Sequence, residues 1–148
     1  MAIDKVLIYT DGACKGNPGP GGWGALLRYK SKDREIYGFS NPSTNNIMEL
    51  TAVIESLKLL KSKCDVIVTT DSVYVKNGIT TWIHNWKKRG WMTSAKKPVK
   101  NKELWIELDS LSNNHIIEWK WVKGHSGHLE NERADELANK GISENIDL

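Results

Sequence analysis

Apolar and polar residues follow two periods along this chain, and the switches between them mark out its elements. Val6-Leu7-Ile8-Tyr9-Thr10 is a short β-branched run that stops at Asp11-Gly12, which predicts a buried strand ending in a turn. The stretch Gly16-Asn17-Pro18-Gly19-Pro20-Gly21-Gly22 predicts a loop without regular structure. Trp23 to Tyr29 and Glu35 to Ser40, separated by the polar Lys30-Ser31-Lys32-Asp33, predict antiparallel strands that complete a three-stranded meander. After Pro42 the period becomes helical: Leu50, Val53, Ile54, Leu57 and Leu60 predict an amphipathic helix from about Asn46 to Lys61. Val66-Ile67-Val68-Thr69-Thr70 then repeats the first pattern, again followed by an aspartate. A strand, a helix and a second buried strand predict a right-handed crossover, with the first and fourth strands adjacent and parallel. Ser72 predicts the cap of a short helix ending near Gly78, and Leu104, Trp105, Leu108 and Leu111 predict another helix, capped near Asn101. Ile116 to Val122 reads as the last strand, with Ile117, Trp119 and Trp121 on one face. Gly124-His125-Ser126-Gly127-His128 reads as a flexible loop, and Glu130 to Lys140 as a helix stopped by Gly141.

Composition narrows the class. At 148 residues the chain fits one domain, 1–148, with one core. Cys14 and Cys64 are the only cysteines, too few for a disulfide framework and not spaced as a zinc pair, so a reducing cytoplasm is expected. The N-terminal residues lack the charged and apolar regions of a signal peptide, and no apolar run reaches membrane-spanning length, so a soluble protein is expected.

The net charge of +3 gains meaning from its placement. Between Ser72 and Lys102 there is no Asp or Glu, while Lys76, Lys87, Lys88, Arg89, Lys96, Lys97, Lys100 and Lys102 supply eight of the chain's 21 basic residues. The remaining 13 are outnumbered by 18 acids, so an acidic body carries one basic segment, a protrusion at about 82–102. That asymmetry points to a local anionic partner, nucleic acid foremost.

Four acids are candidates for chemistry. Asp11 and Asp71 each follow a β-branched run, and on adjacent parallel strands they emerge at one sheet edge, where open α/β sheets place their sites. Two carboxylates held together repel, and a divalent cation stabilises the pair. Glu49 sits one position before the apolar stripe that begins at Leu50, on a flank facing that edge. Asp135 lies between Ala134 and the Leu137/Ala138 pair, but periodicity alone does not separate it from Glu130, Glu132 and Glu136. The glycine loop lacks the Gly-Lys-Ser/Thr ending of a nucleotide-binding P-loop, and no Cys/His cluster suits structural zinc.

The motifs Tyr9-Thr10-Asp11-Gly12, Gly16 to Gly22, Thr44-Asn45-Asn46-Ile47-Met48-Glu49-Leu50, Thr70-Asp71-Ser72, Trp82 to Trp91, and Trp121 to His128 with Asn131 to Asp135 together resemble the bacterial type 1 ribonuclease H family, in order, from about Asp4 to Gly141. The resemblance implies an α/β fold, a five-stranded mixed sheet of strand order 3-2-1-4-5 flanked by helices. It also implies an endonuclease that cuts the RNA strand of RNA/DNA hybrids without strong sequence specificity, giving 5′-phosphate and 3′-hydroxyl products. It assigns Asp11, Glu49, Asp71 and Asp135 to two magnesium ions, with manganese as the alternative, and settles Asp135 among the acids of its helix. His125 is assigned an auxiliary role in proton transfer or product release. Substrate contacts are assigned to Cys14, Gly16, Asn17, Thr44, Asn45 and Asn46, and to Trp82, Trp86, Lys87, Lys88, Arg89 and Trp91 of the protrusion. A monomer is expected. Ile47, Val73 and Met92 replace polar or basic residues common in the family, which bears on substrate affinity and leaves the carboxylates intact. A non-catalytic hybrid-binding module and another nucleotidyl transferase of the same fold are the competing readings.

Overall fold

The computed structural model describes residues 4–124 and 128–146. Its central strand is β1 (Val6–Cys14), in which Val6, Ile8 and Thr10 are buried in alternation with half-buried Leu7 and Tyr9. β1 pairs antiparallel with β2 (Gly19–Tyr29), which pairs antiparallel with β3 (Lys32–Ser43). On its other side β1 runs parallel to β4 (Asp65–Thr70), which runs parallel to β5 (Ile116–Trp121). The resulting five-stranded mixed sheet has the order β3-β2-β1-β4-β5, as expected.

Helix α1 (Asn45–Lys58) connects the meander to β4. Thr44 caps it, with Oγ1 accepting the Ile47 N–H at 3.2 Å. Its Leu50, Val53, Ile54 and Leu57 meet Ile8, Val66 and Val68 of the sheet and Trp105 and Leu108 of α4 (Lys102–Asn113) in one apolar cluster. Fully burying an aliphatic side chain of this size contributes about 1.5–3 kcal/mol, so this layer fixes α1 on the sheet. The opposite face is covered by α5 (Leu129–Ser143) through Ala134, Leu137, Ala138 and Ile142. The two faces are distinguished at adjacent residues of β2: a Cβ on Gly21 would meet Met48 of α1, and one on Gly22 would meet the Ala138 carbonyl of α5. Arg28–Glu130 at 3.2 Å and Arg133–Glu35 at 2.6 Å tie α5 to the meander. Such half-exposed pairs are worth at most about 1 kcal/mol each, so apolar packing sets the helix position.

Several boundaries differ from the sequence expectation, and glycine accounts for most of them. β1 continues past Asp11-Gly12 to Cys14, and Gly19 to Gly22 belong to β2 rather than to a loop. The α-helix capped by Ser72, α2 (Val73–Asn77), ends at Gly78 as expected, but the chain stays helical there, passing through a π-helical turn at Gly78–Trp82 into α3 (Ile83–Lys88). α5 likewise runs through Gly141. In both helices the glycine permits contact: a Cβ on Gly78 would collide with the Trp105 ring, and one on Gly141 with the Gly38 carbonyl. α1 ends at Lys58, three residues early, because the Leu59 and Leu60 N–H groups turn back to the Ser56 and Leu57 carbonyls. Trp121 is 38% exposed rather than sharing the half-buried state of Ile117 and Trp119. Glu130 and Glu136 of α5 pair with Arg28 and Arg133.

The basic segment is held by aromatic packing. Tyr74, Trp82, Trp86 and Trp105 form a ring cluster with centroids 5.3–5.8 Å apart. The Tyr74 hydroxyl accepts from Trp105 Nε1 at 3.0 Å and Asn101 Nδ2 at 3.1 Å. Truncating a buried ring such as Trp105 costs about 3–5 kcal/mol, which makes it the anchor of this region. Among the described residues, no helix is long and apolar enough to cross a membrane.

Candidate active site

The parallel ladder between β1 and β4 ends at Tyr9 and Thr69, and from there the strands part. Asp11 lies two residues beyond, still paired to Gly24 of β2, and Asp71 directly follows the last residue of β4. Both acids therefore leave the sheet at the same edge. Glu49, on the second turn of α1, enters from one face. The helix lies so close to β1 that a Cβ on Gly12 would come within 2.5 Å of the Glu49 backbone nitrogen. One carboxylate oxygen from each of Asp11, Glu49 and Asp71 falls within 4.8 Å of the others. Asp135, on α5 at the other face, lines the same cleft and lies near enough to Asp11 to push its carboxyl pKa up. Asn139, one turn later, donates to the Asp135 side chain at 3.3 Å. All four acids line one open cleft of about 440 Å³.

Asp11 and Glu49 are each only 4% exposed, an unusual depth for carboxylates. Burial, followed by the charges of Glu49 and Asp71 and by Asp135, pushes the Asp11 carboxyl far above the usual carboxylate range. Burial and then Asp71 push Glu49 up, against hydrogen bonds from Asp11, the Gly12 N–H and Ser72 that favour its anion. One Glu49 oxygen, Oε1, is buried without a hydrogen-bond partner. A buried acceptor of this kind ordinarily costs about 1–3 kcal/mol. The donor set is all carboxylate oxygen, which suits a hard divalent cation that keeps part of its water shell. The cluster thus fits divalent metal binding.

This cluster makes the metal-free protein pH-sensitive. Between the ordinary values of 3.8 and 4.5 and the raised native values of Asp11 and Glu49, the folded state binds more protons than the unfolded state. Stability therefore falls as pH rises through that window, and the penalty vanishes below it, where both states are protonated. In chelator, Asp11→Asn should be more stable than the wild type by about 2 kcal/mol at about pH 8 and by much less at about pH 5. Thermal melts of both proteins across that range check this; a difference that shrinks with rising pH would contradict it.

The remaining sequence candidates fall into two groups. Asn45 and Asn46 line the carboxylate cleft at the start of α1. Beside them Thr44 caps the helix, Asn17 Oδ1 accepts the Asn45 N–H at 3.0 Å, and Gly16 turns the chain at φ +79°. Cys14 is half-buried, its thiol directed at the Gly19 and Ser43 carbonyls. The second group is the protrusion, where Trp82 and Trp86 stack in the ring cluster and the Trp91 N–H bonds the Trp86 carbonyl at 2.7 Å. Lys87, Lys88 and Arg89 are all exposed, and Lys87 pairs with Asp109 at 3.2 Å. Tyr74 joins the groups, lining the cleft while its ring meets Trp82 edge-on. His125 lies outside the described residues. Sequence reasoning missed Ser72 as a partner of Glu49, since it read only as a cap, and Tyr74, which carried no motif of its own. Exposed Val73 also lines the cleft, among the acids and asparagines.

A family model described as RNase H matches residues 4–143. The chain is 63% identical over 139 residues to Ribonuclease H of Neisseria gonorrhoeae, covering 94% of this chain and 96% of that one. It is 62% identical over 143 residues to Ribonuclease H of Francisella tularensis subsp. novicida, covering 97% and 94%. Among solved structures, LC9-RNase H1, described as a type 1 RNase H with the type 2 active-site motif, superposes with a TM-score of 0.87 at 34% identity, covering 99% of this chain and 75% of that one. LC11-RNase H1 in complex with RNA/DNA hybrid matches with a TM-score of 0.69 at 26% identity, covering 95% and 98%.

Proposed function

Because the chain belongs to the type 1 ribonuclease H family of endoribonucleases, we propose that it hydrolyses the RNA strand of RNA/DNA hybrids, with Asp11, Glu49, Asp71 and Asp135 holding two divalent ions, magnesium or manganese. The observation that carries this reading is the convergence of carboxylates from β1, α1 and the end of β4 within 4.8 Å. When bound, the ions supply positive charge at the phosphorus and lower the pKa of the attacking water, which an anionic diester otherwise resists. Asp11, whose carboxyl is acted on by Glu49, Asp71 and Asp135 alike, would be the shared ligand, and the other three acids would complete the set that holds the ions. Cleavage then breaks the bond from phosphorus to the 3′ oxygen, leaving a 5′-phosphate and a 3′-hydroxyl. His125, by family resemblance, carries a proton or assists product release.

Hybrid selection falls to the groups around the cleft. An RNA strand presents its 2′-hydroxyl in a wide minor groove, where donors and acceptors read it without reading base sequence. The amides of Asn17, Asn45 and Asn46 can do both, and Glu49, Cys14 and Gly16 border them. Thr44 and the protrusion, with Trp82, Trp86, Trp91, Lys87, Lys88 and Arg89, hold the DNA strand through its phosphates. We assign the activity to one domain, 1–148, acting as a monomer in the cytoplasm. Incubation of labelled hybrid, double-stranded DNA and double-stranded RNA with magnesium tests the reading. Cutting confined to the hybrid's RNA is expected; binding without cutting, or cutting of DNA duplexes, would replace it with a binding module or a different nucleotidyl transferase.

A further inference from the structure

Asp71 differs from the acids it meets. Asp11 is fixed within β1 by pairing to Gly24, and Glu49 is fixed within α1. Asp71 lies between β4 and α2, belonging to neither. Its backbone is instead gripped from outside. The Trp121 indole Nε1 donates to the Asp71 carbonyl at 3.0 Å. Thr70 Oγ1 accepts the Ser72 N–H, also at 3.0 Å, so both polar atoms of the Asp71–Ser72 peptide are held. The Val122 N–H bonds the Thr70 carbonyl at 3.0 Å, continuing the ladder to the point where the grip begins. From α2, Lys76 Nζ sits 5.0 Å from the centroid of the Trp121 ring. A cation over an indole face is attractive, and here it helps confine the ring of Trp121, which is 38% exposed.

We propose that Trp121 is a positioning residue for the metal ligand Asp71, orienting the Asp71–Ser72 peptide through its indole N–H while Lys76 confines the ring; this rests on the metal-centre reading above. Fixing the peptide fixes the direction of the Asp71 Cα–Cβ bond, and with it the carboxylate's approach to Asp11 and Glu49. An exposed aromatic on the outermost strand is thereby part of the ligand framework rather than surface filling.

Trp121→Phe tests this, since it keeps a ring beneath Lys76 and removes the only donor. Magnesium binding is measured on the full chain by calorimetry and by the magnesium-dependent rise in melting temperature, beside hybrid affinity in chelator. The expected result is a weakening of magnesium affinity by about fivefold to tenfold, with hybrid affinity unchanged. Indole N–H resonances of the wild type give an independent reading: among the seven tryptophans, that of Trp121 should move most during magnesium titration. Magnesium affinity within twofold of the wild type, or a Trp121 resonance that stays still while magnesium binds, would overturn the positioning role and leave the metal centre standing. A wild-type protein with no saturable magnesium binding would overturn both.

Discussion

Asp11→Asn should reduce hybrid cleavage by about a thousandfold or more, while hybrid affinity changes little. Asp11 is the common neighbour of the cluster: Glu49, Asp71 and Asp135 all act on its carboxyl. Replacing it removes the group best placed to serve both ions but no cation that anchors nucleic acid. The same change relieves a buried repulsion, so the variant should melt higher than the wild type in chelator and gain less when magnesium is added. Single-turnover cleavage, hybrid binding in chelator and melting with and without magnesium separate these effects. Turnover within tenfold of the wild type would remove Asp11 from the centre of the site.

The second large effect is on binding. Replacing Lys87, Lys88 and Arg89 together with glutamine should weaken hybrid affinity by about a hundredfold at moderate salt and make its salt dependence shallower by about two charges' worth. The structure sets that number below three. All three residues are exposed, but Lys87 already pairs with Asp109, so its net gain from a phosphate is smaller than that of Lys88 or Arg89. The ring cluster that supports the segment is untouched by these substitutions, so the fold should be retained. Affinity measured across a salt series checks this; an unchanged slope would mean that the protrusion does not engage phosphates.

Much of this was legible in the residues. Two β-branched runs, each followed by aspartate, gave adjacent parallel strands and the shared edge of Asp11 and Asp71. The apolar stripe beside Glu49 gave its flank. Asp135 was different, because α5 carries acids on more than one face and periodicity cannot tell which one meets the sheet edge. The structure separates Asp135 by position, since of these acids it is the one that lines the cleft with Asp11, while Glu130 and Glu136 pair with arginines. Glycine misled for a physical reason. A breaker and a close-contact residue look alike in sequence, and Gly78 and Gly141 are contact residues beneath Trp105 and Gly38. The grip of Trp121 on Asp71 joins residues fifty positions apart, a relation that no local pattern encodes.

Strand-resolved analysis of a hybrid, with magnesium and with chelator, most directly tests whether these carboxylates form a working metal site. Fragments of the RNA strand ending in 5′-phosphate and 3′-hydroxyl, produced with magnesium and absent in chelator, are the expected result. RNA that stays whole with either magnesium or manganese, or that is cut equally well in chelator, would contradict it.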